Sequence, residues 1–350
     1  MVLNHFVFAA AILGLSIGLV VVVMTAIFFR NLAIPDASNA TPKVLTPSLR
    51  TGGLAVVGAF LTGIFAIHMI GDFTPIKARY FWGFSTALLF VSAISLYSTF
   101  KTVDFRIKLV GQAFAVAVVM YAGIVIDEIH LPWFGWVVGG WWVYPMTLLW
   151  ILGLTNVYGR MDAVDGLAAS SAVVASMFLI FITFHQESVF IYLCSVTLFA
   201  ASVGFLVFNF PPAKIFMGDI GSTFLGFSFA VMAIIAALYD RSHTSLFVIP
   251  LLLFHFIFDV IFTHVTRLRH PRSESSNQIP YIYQLLVRIG HPQGRVILIS
   301  LGMSFAQGIG AIFMVNIYGD SRIFVFLPFL LFQAAYAYWV VGVAKRRNRY

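Results

Sequence analysis

Hydrophobic positions in this chain do not alternate with polar ones at a strand or helix period. They run almost unbroken for stretches of about 20 residues, separated by short polar intervals. A run of that length, wound as an α-helix, crosses about 30 Å of hydrocarbon. About eleven such runs can be read, at roughly 4–28, 53–71, 80–99, 107–126, 143–157, 167–184, 188–208, 221–239, 244–266, 296–317 and 323–343, the fifth being short. They are predicted as helices, because barrel strands need polarity that alternates over about ten residues. The longer polar intervals fall at about 29–52, 100–106, 158–166, 209–220 and 267–295. The pattern predicts an all-α polytopic membrane protein whose residues 1–350 form a single transmembrane domain.

Composition removes the soluble alternative. Of the 350 residues 61% are hydrophobic and 10% charged, with a mean hydropathy of +0.96, more apolar surface than a water-facing fold can cover. The single cysteine, Cys194, lies in an apolar run and cannot form a disulfide within the chain, which excludes a disulfide-built class. Each charge that remains must sit in a loop, at a helix end, or inside the bundle for a reason.

Lysine and arginine are distributed unevenly between the alternate loops. Seventeen of the 21, from Arg30 and Lys43 to the Lys345–Arg349 tail, fall on one side; only Lys77, Arg79, Arg241 and Arg322 fall on the other. The positive-inside rule then predicts an outer N-terminus and a cytoplasmic C-terminus, as an odd number of spans requires. Tryptophans 133, 136, 141 and 142 fall on the outer side as an interfacial belt. The first run has no small-residue cleavage pattern and reads as a retained helix. The basic pI of 9.7 is that of a cytoplasmic membrane face and calls for no nucleic acid. No internal repeat of the kind that builds inverted transporter halves is evident.

Two cytoplasmic intervals carry candidate chemistry. In Asn156-Val157-Tyr158-Gly159-Arg160-Met161-Asp162-Ala163-Val164-Asp165-Gly166-Leu167, two carboxylates three residues apart share a face if helical. They repel unless a cation, a proton or a cationic group lies between them. A capped helix start, with a second acid favoured by the helix dipole, is the plainer alternative. In the second, Pro211-Pro212 ends a helix and Gly218-Asp219-Ile220-Gly221-Ser222 opens the next. Glycines and free N–H groups there suit a phosphate, with Asp219 placed to hold magnesium and Lys214 to add positive charge. An ordinary turn is the plainer alternative here too. One further acid, Asp259, lies inside the ninth run and is expected to face the bundle or the cleft, with Arg267 or His255 as structural partners.

Taken together, these segments resemble the membrane-embedded polyprenyl-phosphate N-acetylhexosamine-1-phosphate transferases, glycosyltransferase family 4. Residues Gly204 to Ser222 look like the family's asparagine, proline and Phe-Met-Gly-Asp-x-Gly-Ser block. Asn156, Asp162, Asp165 and Gly166 match its Asn-x-x-Asn-x-x-Asp-Gly-x-Asp-Gly-Leu block, with Gly159 and Ala163 departing. Asp36, Asn39, Pro47, Arg50, Gly52 and Gly53 match its first cytoplasmic loop, and Lys108 and Gln112 the end of the next.

The resemblance implies transfer of N-acetylhexosamine-1-phosphate from a UDP-N-acetylhexosamine to a polyprenyl (undecaprenyl) phosphate, with release of UMP, in cell-envelope glycan synthesis. It implies Asp162, Asp165 and Asp219 as catalytic residues. Asn156, Asn209, Lys214, Arg50 and Gly218 become substrate-binding, with magnesium (manganese as an alternative) held at Asp219. Membrane lipids and a second copy as homodimer are implied partners, and the bacterial inner membrane is the implied location. Two departures are specific. Ser98-Thr99 stands where the family has two adjacent aspartates, and Gln278-Ile279-Pro280-Tyr281-Ile282-Tyr283-Gln284 where it has a histidine cluster. They give a second reading, a catalytically impaired paralogue that binds lipid phosphate or nucleotide or scaffolds glycan enzymes.

Overall fold

The computed structural model describes residues 2–32, 51–70, 76–101, 103–131, 135–239, 244–269, 279–317 and 319–347. The long apolar runs are helices, as their composition demands in a solvent that cannot satisfy a free backbone. They are α1 (Val2–Leu32), α2 (Gly53–Ile70), α3 (Ala78–Phe100), α4 (Phe105–Tyr121), α5 (Val143–Gly159), α6 (Leu167–His185), α7 (Val189–Asn209) and α8 (Gly218–Ile234). A π-helical turn, Ile235–Tyr239, prolongs α8. Then come α9 (Val248–Leu252), α10 (Phe254–Arg269), α11 (Ile282–Arg288), α12 (Gln293–Asn316) and, after a 3-10 turn at Gly319–Val325, α13 (Phe326–Arg346). Among the described residues, seven helices are long and apolar enough to cross a membrane: Ala9–Ile27, Ala78–Phe100, Leu167–His185, Val189–Asn209, Gly218–Tyr239, Gln293–Asn316 and Ser321–Arg346.

Two local features depart from the pattern read in the sequence. The run at 244–266 is not one helix but two, α9 and α10, parted by a turn at Leu253. The interval at 128–138 holds an antiparallel hairpin of two four-residue strands, β1 (Glu128–Leu131) and β2 (Gly135–Val138), with Glu128 opposite Val138 and Leu131 opposite Gly135.

The core is organised around α8, which is buried at every position from Ile220 to Ile234. It packs on α5, α3 and α2, and small residues permit the approach. A Cβ on Gly226 would lie 2.7 Å from Tyr158 Cβ and 2.9 Å from Thr155 Cα on α5. A Cβ on Gly221 would lie 2.8 Å from Gly53 Cα at the start of α2. Hydroxyl side chains inside the bundle mostly return to their own helices: Ser176 Oγ donates to Ala172 O and Thr183 Oγ1 to Leu179 O. At the periphery α12 and α13 show apolar flanks, with Leu298, Ile309, Phe313 and Leu331 exposed, as a lipid-facing surface requires.

The two ends of the bundle differ chemically. At one, Arg79 Nη2 donates to Tyr121 O (2.6 Å), the Tyr239 hydroxyl donates to Val125 O (2.9 Å), and Thr244 bonds Gln186. The other end gathers the connections α3–α4, α5–α6, α7–α8 and α10–α11, and with them the acids singled out above.

Candidate active site

The site is built where two connections are laced together. Gly166 (φ 75°) and Gly218 (φ 67°) sit in the left-handed region at the entries to α6 and α8, a conformation that glycine adopts without Cβ strain. From the 160–166 turn, the Asp162 carboxylate accepts the Gly218 N–H and the Asp165 carboxylate accepts the Ala213 N–H. In return the Asn209 side chain, 2% exposed, accepts the Gly166 N–H on Oδ1 (2.9 Å) and donates from Nδ2 to Ile215 O (2.9 Å). These bonds fix both acids against the start of α8. A third connection joins them, since Gly52 and Gly53 donate backbone N–H groups to Phe216 O (3.2 Å) and Met217 O (3.0 Å).

Asp219, the second residue of α8, forms an ion pair with Lys108 of α4. Its Oδ2 accepts the Ser98 hydroxyl at 3.0 Å, and its Oδ1 the Thr223 hydroxyl at 3.2 Å. So α3, α4 and α8 converge on one half-exposed carboxylate. Burial pushes the Asp162 carboxyl well above the usual carboxylate range; the Gly218 N–H opposes this, and the charges of Asp219 and Asp165 add to it. Burial also raises Asp165, against the Ala213 N–H. Three acids are therefore close enough for two of them to disfavour ionisation of the third, and one of the three, Asp219, carries Lys108 as its paired cation.

The donor set is oxygen only. Among the described residues no group of three or more His, Cys, Asp or Glu side chains is placed to hold a metal unaided. A hard cation that takes one or two carboxylates and completes its shell from phosphate oxygens and water is the kind that oxygen donors of this type would hold. Asp219, with Asp162 beside it, is the pair that would hold it.

The other expected site residues divide. Asn156 donates from Nδ2 to Gln112 Oε1 and to Leu152 O, both at 2.9 Å, and so fastens α5 to α4. The Gly218 N–H, expected to face a phosphate, is taken by Asp162. Lys214 lies exposed on the α7–α8 connection, held through its backbone N–H on Phe208 O (2.9 Å). Arg50, Asp36, Asn39 and Pro47 lie outside the described residues. Asp259 makes no direct bond to either expected partner, although the charge of Arg267 acts on it: His255 Nδ1 meets Gln307 Oε1 (2.8 Å), and Arg267 donates to Ile279 O. Asp259 instead accepts the N–H groups of Ile282 (2.8 Å) and Tyr283 (3.4 Å) and the Thr263 hydroxyl (3.1 Å). Ser98 and the tyrosines, singled out in the sequence as departures from the family pattern, are contacts of Asp219 and of the acid turn. Tyr283 donates its hydroxyl to Arg160 O (2.5 Å), and Arg160 Nη1 donates to the Tyr281 oxygen (3.3 Å).

A polytopic helical bundle thus gathers carboxylates, a lysine and two left-handed glycines at one end. Residues 81–237 of the chain match the sequence model of glycosyl transferase family 4. It is 27% identical over 286 residues to the probable undecaprenyl-phosphate N-acetylglucosaminyl 1-phosphate transferase of Bacillus subtilis, covering 81% of this chain and 78% of that protein. It is 28% identical over 280 residues to the decaprenyl-phosphate N-acetylglucosaminephosphotransferase of Mycobacterium leprae, covering 73% and 70%. A shorter match, 32% over 128 residues, links it to the phospho-N-acetylmuramoyl-pentapeptide-transferase of Latilactobacillus sakei, covering 37% and 40%. The 81–237 match takes in Ser98, Lys108, Asp162, Asp165 and Asp219.

Proposed function

We propose that this protein is a phosphoglycosyltransferase that moves N-acetylhexosamine-1-phosphate from a UDP-sugar to a polyprenyl phosphate in the inner leaflet of a bacterial cytoplasmic membrane. A phosphate oxygen of the lipid forms a bond to the donor phosphorus that bears the sugar; the anhydride bond to the other phosphorus breaks, and UMP leaves. The relatives' names give the sugar-phosphate and polyprenyl chemistry. Seventeen basic residues in alternate loops support an orientation with the acids in the cytoplasm, where a soluble nucleotide sugar meets a lipid head.

The observation that carries the reading is the convergence of Asp162, Asp165 and Asp219 with Lys108 at the entry to α8. Asp219 and Asp162 would hold magnesium, whose charge, when bound, offsets that of the diphosphate. Lys108, paired with Asp219, stands ready to exchange that carboxylate for a phosphate oxygen. Asp165 and Asn209 hold the two connections in register.

The test is transfer itself. Purified protein with magnesium, polyprenyl phosphate and a panel of UDP-N-acetylhexosamines labelled in the phosphate next to the sugar should move that label into lipid, with one UMP per label. Label that stays in water with every donor refutes the reading.

A second reading rests on position 98. A hydroxyl donates to Asp219 there, and no carboxylate accompanies it. On that reading the protein binds nucleotide or lipid phosphate without transfer, and Asp219→Ala leaves its cellular role intact.

A further inference from the structure

Arg160 is set in an unusual way for a cation two residues from a carboxylate. Lys108–Asp219 is the ion pair found among the described residues, and Arg160 has no carboxylate partner there. Its backbone and side chain are instead gripped by two tyrosines: Tyr283 donates its hydroxyl to Arg160 O at 2.5 Å, and Arg160 Nη1 donates to the Tyr281 oxygen at 3.3 Å. Its guanidinium lies 5.6 Å from the ring centre of Phe105, three residues before Lys108 on α4. The two tyrosine rings stack nearly parallel, 5.7 Å apart at 4°.

The strap that carries them is itself fixed. Asp259 accepts the N–H groups of Ile282 and Tyr283, and the Arg267 guanidinium lies 5.0 Å from the Tyr281 ring centre while donating to Ile279 O at 2.6 and 3.0 Å. Side-chain freedom that an arginine would lose on binding a ligand is thus largely lost beforehand. Of its five N–H donors one is used on Tyr281, and no described side chain or carbonyl takes another within hydrogen-bond distance. A planar fork of donors held over a ring, beside an acid cluster that already has its own lysine, suits a doubly bonded phosphate oxyanion.

We propose that Arg160, positioned by Tyr281 and Tyr283, is the seat for the diphosphate of a nucleoside-diphosphate donor. This rests on the transferase reading and adds to it the residue that grips the donor. The tyrosines are positioning residues: they act through Arg160, and Asp259 acts through them.

Full-length protein in detergent is titrated calorimetrically with UDP, inorganic pyrophosphate and uridine. Wild type should bind UDP more tightly than uridine. Arg160→Ala should weaken UDP and pyrophosphate by about 30-fold and leave uridine unchanged, and Arg160→Lys should fall between, a point charge in place of a fork. Tyr281→Phe keeps the ring stack and the melting temperature, and should weaken UDP about 3-fold to 10-fold. In the transfer assay these variants should raise KM for the nucleotide sugar and leave KM for the lipid unchanged. UDP binding by Arg160→Lys and Tyr281→Phe equal to wild type overturns the seat while the transferase reading stands. Wild type that binds neither UDP nor pyrophosphate overturns both.

Discussion

Ser98 at the end of α3 donates its hydroxyl to Asp219 Oδ2 at 3.0 Å, across 121 residues of sequence. The contact makes position 98 part of the acid cluster although it carries no charge. A carboxylate there would face Asp219 directly, and like charges at that distance repel unless a cation lies between them. Ser98→Asp is therefore predicted to lower the melting temperature in chelator and to recover or exceed the wild-type value in millimolar magnesium. Thermal unfolding with and without magnesium measures this; the same loss in both conditions would show that position 98 lies outside the cation's reach.

Lys108 is the cation paired with Asp219, and both are partly exposed. Such a pair adds little to stability, about 1 kcal/mol or less. Lys108→Met is expected to fold with a near-native melting temperature and to lose transfer activity by at least about 100-fold, since the lost charge matters most where phosphate charge moves. Turnover within about 3-fold of wild type would remove Lys108 from the chemistry.

Asn209 uses both ends of its amide on backbone groups of two different connections. Replacement by alanine leaves the Gly166 N–H and the Ile215 carbonyl buried and unpaired, a cost of about 2–4 kcal/mol. Asn209→Ala should lower the unfolding temperature clearly, and any loss of activity should follow the loss of fold. An unchanged melting temperature with lost transfer would instead make Asn209 a direct substrate contact.

The pH dependence of stability has a sign that Asp162 sets. Its folded-state pKa is raised, first by burial and then by Asp219 and Asp165, so the folded protein keeps a proton that the unfolded chain releases at about pH 4. That contribution is present below the unfolded value and declines as pH rises toward the folded one. Asp162→Asn, which can still accept the Gly218 N–H, should flatten the decline and raise the melting temperature near neutral pH while abolishing transfer. Melting curves from pH 4 to 8 decide it; a variant that keeps the wild-type slope places the titration elsewhere.

How far these relationships could be read in the amino-acid sequence depends on what each is made of. Seven of the predicted runs are helices of spanning length because hydrocarbon leaves a backbone few other choices. The break at Leu253 was hidden, since Leu251, Leu252 and Leu253 are apolar whether the helix continues or turns. The hairpin at 128–138 was hidden because its strands are four residues long and Trp136, in the second, also reads as part of an interfacial belt. Asp162, Asp165 and Asp219 could be found from their own spacing, but not the exchange of bonds between their two connections, which depends on backbone groups at Ala213, Gly166 and Gly218. Ser98 and Tyr283 drew attention only as departures from a family pattern, because a hydroxyl has no spacing signature and its partner is set by tertiary packing.

On the transferase reading, the acid cluster breaks the diphosphate bond between UMP and a sugar phosphate and makes one between that sugar phosphate and the lipid phosphate. Isotope exchange tests it most directly, because the reaction must run backwards through the same site. Labelled UMP, incubated with the protein, magnesium, unlabelled UDP-N-acetylhexosamine and polyprenyl phosphate, is predicted to enter the UDP-sugar pool only when the lipid is present, and not at all with Asp219→Asn. No exchange by the wild type with any UDP-N-acetylhexosamine, or exchange that Asp219→Asn retains in full, would contradict the account.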